Sequence, residues 1–146
     1  MVASRDANPE RAARLRRATG LLFRRIRSEA HGASGLTLSQ ESIVALLIDA
    51  PGGLTIAELA RVEGVRAQTM SVAITTLERR GFVRRASDPL DRRRTILHAT
   101  ANGVAALNRS QELKQRWLED ALDGCAAEDL ETLDDAMSVI ERIIAR

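Results

Sequence analysis

Apolar positions recur at three- and four-residue steps through most of the chain, and the interruptions fall on glycine, proline and serine. Residues 9–31 place Leu15, Ala18, Leu22 and Ile26 on one face of a predicted helix, with Pro9 in its first turn. The other face holds Arg14, Arg16, Arg17, Arg24, Arg25 and Arg27, and Gly32, Ser34 and Gly35 end the run. Ser39 is positioned to cap a second helix through Ala50, with Ile43, Leu46, Leu47 and Ala50 inward, and Pro51-Gly52-Gly53 stops it. Thr55-Ile56-Ala57-Glu58 has capping-box form: the hydroxyl accepts from the Glu58 N–H while the carboxylate reaches back to the Thr55 N–H. The short helix that follows, to Val62 or Glu63, buries Ile56, Leu59 and Ala60. Gly64 turns the chain into a further helix, Val65 to Arg80, with Met70, Ala73, Ile74 and Leu77 inward and Gly81 at its left-handed end.

The periodicity then shortens. Phe82–Ala86 and Thr95–Ala99 read as two strands, joined by Ser87–Arg94, which holds turn formers and three consecutive arginines. Two helices about a glycine turn, followed by a basic-tipped hairpin, make a winged helix-turn-helix. Thr100 caps a long helix to about Asp123, with Val104, Leu107, Leu113, Trp117 and Ala121 on one side and Gly124 as its break. From about Ala127, Leu130, Leu133, Met137, Ile140 and Ile144 follow a strict 3-4-3-4 spacing. A seam so narrow suits packing on another long helix. The predicted fold is mostly α with a small β-hairpin wing, a winged helix-turn-helix flanked by long N- and C-terminal helices.

Composition narrows the function. At 146 residues, 45% hydrophobic and 29% charged, the chain is neither disordered nor collagen-like. Its longest apolar run, Ile43 to Ile48, is far short of the roughly 20 residues that span a bilayer, so no membrane partner is expected. The N-terminus lacks the apolar stretch of a signal peptide, and the single cysteine closes no disulfide within the chain; both lead to an expected cytoplasmic location. The net charge of +2 hides an asymmetry: residues 1–98 carry 17 arginines against 10 acids, whereas residues 99–146 carry five cations against 10 acids. A basic front and an acidic back suit a protein that presents one face to a polyanion. Phe23, Phe82 and Trp117 are too few to stack single-stranded bases, which favours duplex DNA.

Leu77 to Thr100, LERRGFVRRASDPLDRRRTILHAT, followed by the helix-opening Asn102-Gly103, resembles the MarR family of bacterial transcriptional regulators. The leucine, glycine, strand, Asp-x-Arg wing and second strand match in order and spacing, and the element order extends the likeness from residue 10 to 146. The resemblance implies an obligate homodimer on a pseudo-palindromic operator, most often a repressor, with residues 9–36 and 100–146 as dimerisation helices around a DNA-binding part at 37–99. Leu15, Leu22, Ile26, Leu130, Leu133, Met137, Ile140 and Ile144 are then the dimer residues. Members often sense small aromatic or phenolic anions, and an arginine of the first helix is a candidate receiver; the ligand residues themselves remain unassigned.

Within that frame the helix from Val65 to Arg80 is the recognition helix, with Arg66, Gln68, Thr69, Ser71, Val72, Thr75 and Arg79 outward. Gln68 can pair with adenine and Val72 can meet a thymine methyl, while Thr69, Ser71 and Thr75 suit phosphates. Members often carry a basic residue where this chain has Val72 and Thr76. Arg92, Arg93 and Arg94 would enter the minor groove. The family pattern has Asp91 bracing one of them, with Arg93 as the candidate. Arg84 and Arg85 alternate faces of their strand, so only one meets phosphates, and Arg85 is the candidate.

Other features carry blander expectations. Arg16, Arg17, Arg24 and Arg27 are expected to pair with Glu128, Asp129, Glu131, Asp134 and Asp135 of the same or a partner subunit rather than with DNA. Cys125 lies between the last two helices among acids, without a nearby cation, and is expected to pack inertly; the peroxide-sensing members place their reactive cysteine near the N-terminus. His31 and His98 lack the partners of a zinc site, and no nucleophile elbow, phosphate-cradling loop or HExxH is present, so no metal, cofactor or enzymatic activity is expected. Two alternatives stand beside the DNA regulator: a redox sensor acting through Cys125, and a winged-helix interaction module that does not read DNA.

Overall fold

A computed structural model describes residues 7–30 and 35–146; His31, Gly32 and Ser34 lie outside the described residues. The elements run α1 (Ala7–Ala30), α2 (Leu38–Asp49), α3 (Ile56–Glu63), α4 (Ala67–Arg79), β1 (Val83–Ser87), β2 (Thr95–Ala99), α5 (Ala101–Asp123) and α6 (Ala127–Ile144). This is the mostly helical, winged arrangement expected from the sequence.

Local chemistry sets most boundaries. The Thr55–Glu58 capping box forms in full, with Glu58 Oε2 accepting from the Thr55 N–H at 2.7 Å and Thr55 Oγ1 accepting from the Glu58 N–H at 3.2 Å. The cap of α2 is Thr37, not Ser39. Thr37 Oγ1 accepts from the Gln40 N–H at 3.3 Å and Gln40 Oε1 accepts from the Thr37 N–H at 3.0 Å, so Ser39 falls inside the first turn. That reciprocal pair satisfies two otherwise orphaned donors, whereas Ser39 alone satisfies one at most. Helix α4 starts at Ala67 rather than Val65, because the Val65 N–H is committed to the Ala60 carbonyl at 3.0 Å and Arg66 is extended.

One apolar core gathers beneath the wing. Ile43, Val44 and Leu47 of α2, Leu59 and Ala60 of α3, and Met70, Ile74 and Leu77 of α4 meet Val83, Leu97 and Leu107. Val44, absent from the expected α2 stripe, is fully buried, while Leu46 and Ala50 are only partly so. Each fully buried side chain of this kind contributes about 1.5–3 kcal/mol. β1 and β2 pair antiparallel from Val83↔Ala99 to Ser87↔Thr95, and Leu54 adds a bridge to Leu97 that ties the entry to α3 onto the wing. Outside the lobe, α1 packs along α5. Helix α6 buries none of its residues.

Candidate nucleic-acid interface

The turn between α3 and α4 needs a left-handed residue. Gly64 supplies it at φ 66°, a region open to glycine without steric penalty, and its N–H returns to the Ala60 carbonyl. Met70, Ile74 and Leu77 then anchor α4 in the core and force its opposite side outward. On that side Arg66, Gln68, Thr69, Val72, Thr76 and Arg79 are exposed, and Ser71 and Thr75 are half-buried. Val72 is 64% exposed, whereas Met70, Ile74 and Leu77 of the same helix are buried. Gln68, Ser71, Val72, Thr75, Thr76 and Arg79 line a shallow groove of about 230 Å³ along this face. The Thr75 hydroxyl donates to the Ser71 carbonyl at 2.9 Å and that of Thr76 to the Val72 carbonyl at 3.1 Å, which leaves their oxygens free to accept. Thr76 belongs to the face although the outward set read from the sequence omits it.

The wing loop is ordered by its own polar groups. The Asp88 carboxylate accepts from the Leu90 N–H at 2.8 Å, and the Asp88 N–H donates to the Arg94 carbonyl at 3.0 Å. Asp91 Oδ1 accepts from both the N–H and the Nε–H of Arg93, at 3.0 and 3.2 Å. The guanidinium is thereby aimed while its side chain stays 91% exposed. These same bonds, first from the Arg93 side chain and then from its backbone, hold the Asp91 carboxyl below the usual carboxylate range. Arg92 is exposed and has no carboxylate partner among the described residues. Arg94 and Arg85, in contrast, meet internal carboxylates: Arg94 lies 3.4 Å from Glu58 and 3.5 Å from Asp88, and Arg85 lies 2.9 Å from Glu78.

The expected dimer residues are left uncovered. Leu15 and Leu22 of α1 and Leu133, Met137 and Ile144 of α6 are exposed, and Ile26, Leu130 and Ile140 are half-buried. Leu21, Phe23, Val139 and Ile143 extend this apolar surface. Among the described residues no arginine of α1 pairs with an acid of α6 inside the chain; Arg25 instead bridges Glu29 at 2.9 Å and stacks over Trp117 at 5.6 Å. Cys125 is exposed rather than packed: it sits in the α5–α6 turn, where its thiol donates to the Ala121 carbonyl at 3.6 Å.

The joint between the lobe and the long helices escaped the sequence reading. Glu41 of α2 is buried and accepts hydrogen bonds from Ser110 and Lys114 of α5. Lys114 is the sole lysine in a chain of 21 arginines, a signal that was available. Glu41 and Lys114, with Leu38, Ser42, Ala45, Leu107 and Gln111, line a hollow of about 220 Å³.

A family model, MarR family, matches residues 34–94. An HTH-type transcriptional regulator of Mycobacterium tuberculosis is 31% identical over 117 residues, covering 80% of both chains. The chain belongs to the MarR family. It is a transcriptional regulator of that family with a DNA-binding, winged-helix fold. A solved protein from Pseudomonas aeruginosa, assigned as a transcriptional regulator, superposes with a TM-score of 0.81 at 26% identity, over 95% of this chain and 97% of its own. A mutant of MepR from S. aureus, solved bound to an oligodeoxyribonucleotide, matches in fold at a TM-score of 0.73 and 16% identity, over 91% and 96%. Among the described residues of this MarR-family chain, no helix is long and apolar enough to cross a membrane, and no cluster of ligating side chains could hold a metal ion.

Proposed function

We propose that this MarR-family regulator is a cytoplasmic homodimer that reads a pseudo-palindromic operator in duplex DNA and represses transcription until a small aromatic or phenolic anion releases it. The observation that carries DNA reading is a solvent-facing polar side of α4 beside a wing whose Arg93 is already aimed by Asp91. Gln68 pairs with adenine in the major groove and Val72 packs on a thymine methyl. Thr69, Ser71, Thr75, Arg66 and Arg79 hold phosphates, and Arg92 and Arg93 enter the minor groove.

The uncovered seams of α1 and α6 support the homodimer, whose two recognition helices must meet half-sites about 34 Å apart. Release is supported by the hollow at the α2–α5 joint, where an anion would compete with Glu41 for Lys114. Arg25 over Trp117 offers a second cationic and aromatic surface at the α1–α5 seam. A change in lobe separation worth about 1–3 kcal/mol is enough to relieve repression several-fold. The exposure of Cys125 favours one second reading, an oxidant-sensing regulator, and an oxidant response that survives Cys125→Ser removes it.

The deciding experiment is to sequence the genomic fragments that the purified dimer retains, then to titrate salt against the selected duplex. A recurrent inverted repeat, with affinity falling steeply as counterions are released, is expected. Failure to retain any duplex in dilute buffer would sink the proposal and leave a winged module that does not read DNA.

A further inference from the structure

The wing carries five arginines, 84, 85, 92, 93 and 94, and the structure separates the last four by partner. Arg92 and Arg93 are at the tip and exposed. Arg94, at the start of the returning strand, is only 50% exposed; one of its nitrogens faces Glu58 Oε1 at 3.4 Å and the other faces the buried Asp88 at 3.5 Å. Glu58 is doubly used. Its second oxygen closes the N-terminus of α3 on Thr55, at 2.7 Å to the N–H and 2.8 Å to the hydroxyl. On the other strand, Arg85 is 2.9 Å from Glu78 in the last turn of α4. One carboxylate from each helix of the helix-turn-helix therefore grips one strand of the wing.

We infer that Arg94 and Arg85 are positioning residues: held by Glu58 and Glu78, they set the angle of the wing so that Arg92 and Arg93 reach the minor groove while α4 lies in the major groove. This rests on the DNA reading proposed above and deepens it, dividing the wing arginines into those that touch DNA and those that aim the touch. A two-stranded ribbon is soft in twist, and among the described residues its backbone is tied to the entry of α3 at the Leu54–Leu97 bridge. Five strand residues make a lever of about 17 Å, so a 10° rotation at the base moves the tip by about 3 Å, a full hydrogen-bond length. Ion pairs this exposed add little to folding stability, so direction is what they supply. Thr55 holds the Glu58 carboxyl below the usual carboxylate range, first through its N–H and then through its hydroxyl, which keeps the charge facing Arg94.

The test is a cycle of Glu58→Gln, Arg94→Gln and the double variant in the full-length dimer, using the duplex selected from its own genome. Glutamine keeps an acceptor for Thr55 and removes the charge. Taking an acid away from beside a polyanion tightens binding if charge alone matters; a brace predicts the opposite sign, about three- to fivefold weaker binding. Arg94→Gln, which releases Asp88 as well as Glu58, should lose at least that factor with the salt slope unchanged, and the double variant should bind no more weakly than Arg94→Gln alone. Should Arg94→Gln lower the slope by about 0.9 while Glu58→Gln binds as tightly as the parent or tighter, Arg94 is a phosphate contact and the inference is overturned. Hydrogen exchange without DNA reads the brace directly: amides 88–94 should exchange faster in both single variants, and unchanged exchange also overturns it. Accelerated exchange in a dimer whose parent binds no duplex keeps the brace and rejects the DNA reading. If Glu58→Gln fails to fold, Glu78→Gln with Arg85→Gln runs the same cycle on the second brace.

Discussion

Gly103→Ala sets helix propensity against tertiary packing, and the two predict opposite signs. Gly103 lies in the first turn of α5, where alanine is better than glycine by about 0.8–1.0 kcal/mol from propensity alone. A Cβ there would sit 2.2 Å from the Phe82 carbonyl oxygen, 3.1 Å from its carbon and 3.3 Å from its Cα. Carbon–oxygen contacts normally stay beyond about 3.3 Å, so α5 would have to retreat by about 1 Å. The obstacle is backbone and it is pinned. The Phe82 carbonyl accepts the Thr100 N–H at 3.0 Å, and Thr100, which caps α5, donates its hydroxyl to the Gly81 carbonyl at 2.6 Å.

Overpacking costs about 1–3 kcal/mol and a lost hydrogen bond about 1 kcal/mol. Less the propensity gain, the net destabilisation is about 1–3 kcal/mol, or a Tm lower by about 3–9 °C in a chain of this size. Urea unfolding followed by circular dichroism, at one fixed protomer concentration because a homodimer of the kind proposed would couple to folding, measures it. Gly52→Ala is the control: nothing lies within 4 Å of its Cβ, and a stabilisation of about 0.4–1 kcal/mol is expected. A Gly103→Ala protein as stable as the parent, or more so, would show that α5 does not bear on the Phe82 carbonyl as described.

Four further outcomes follow from the same geometry. Arg93→Ala should weaken operator binding by about 1–3 kcal/mol in gel shifts while sedimentation still shows a dimer; undiminished affinity would falsify the role of the wing tip. Met137→Asp or Ile140→Asp should yield monomers with no operator affinity in light scattering, and a folded native monomer at micromolar concentration would contradict the seam. Lys114→Met strands the buried Glu41 carboxylate and should cost about 3 kcal/mol in urea unfolding; Glu41→Leu with Lys114→Met should recover most of it, and additive losses would show the pair is uncoupled. Asp91 and Glu58 both have folded-state pKa values depressed below their unfolded ones, so the order they confer is complete above the carboxylate range and is lost as pH falls through the depressed values. Wing amide signals should therefore stay constant from pH 7 to about 5 and shift only below about 4; loosening above pH 5 would point to another group.

Much of this protein is written within windows of four residues. Helix periods, the Thr55–Glu58 box and the turn at Gly64 depend on neighbours in sequence, and so does Asp91 on Arg93, two residues apart. The Thr37-Leu38-Ser39-Gln40 box is just as local and just as legible. Charge asymmetry and the Asp-x-Arg wing pointed to duplex DNA for the same reason, since composition and short motifs survive without coordinates.

Partner choice over distance was decided by packing. Glu58 and Arg94 are 36 positions apart, and Glu41 stands 69 and 73 positions from Ser110 and Lys114. Nothing in either segment names the other; they meet because Leu97 pairs with Leu54 and because α2 lies against α5. Three consecutive arginines look equivalent in a sequence, yet only the folded loop puts Arg94 against two carboxylates and leaves Arg92 with none among the described residues. Side-chain identity and helical period are short-range properties carried by the chain itself, whereas the pairing of charges across elements depends on which surfaces the apolar core has brought together.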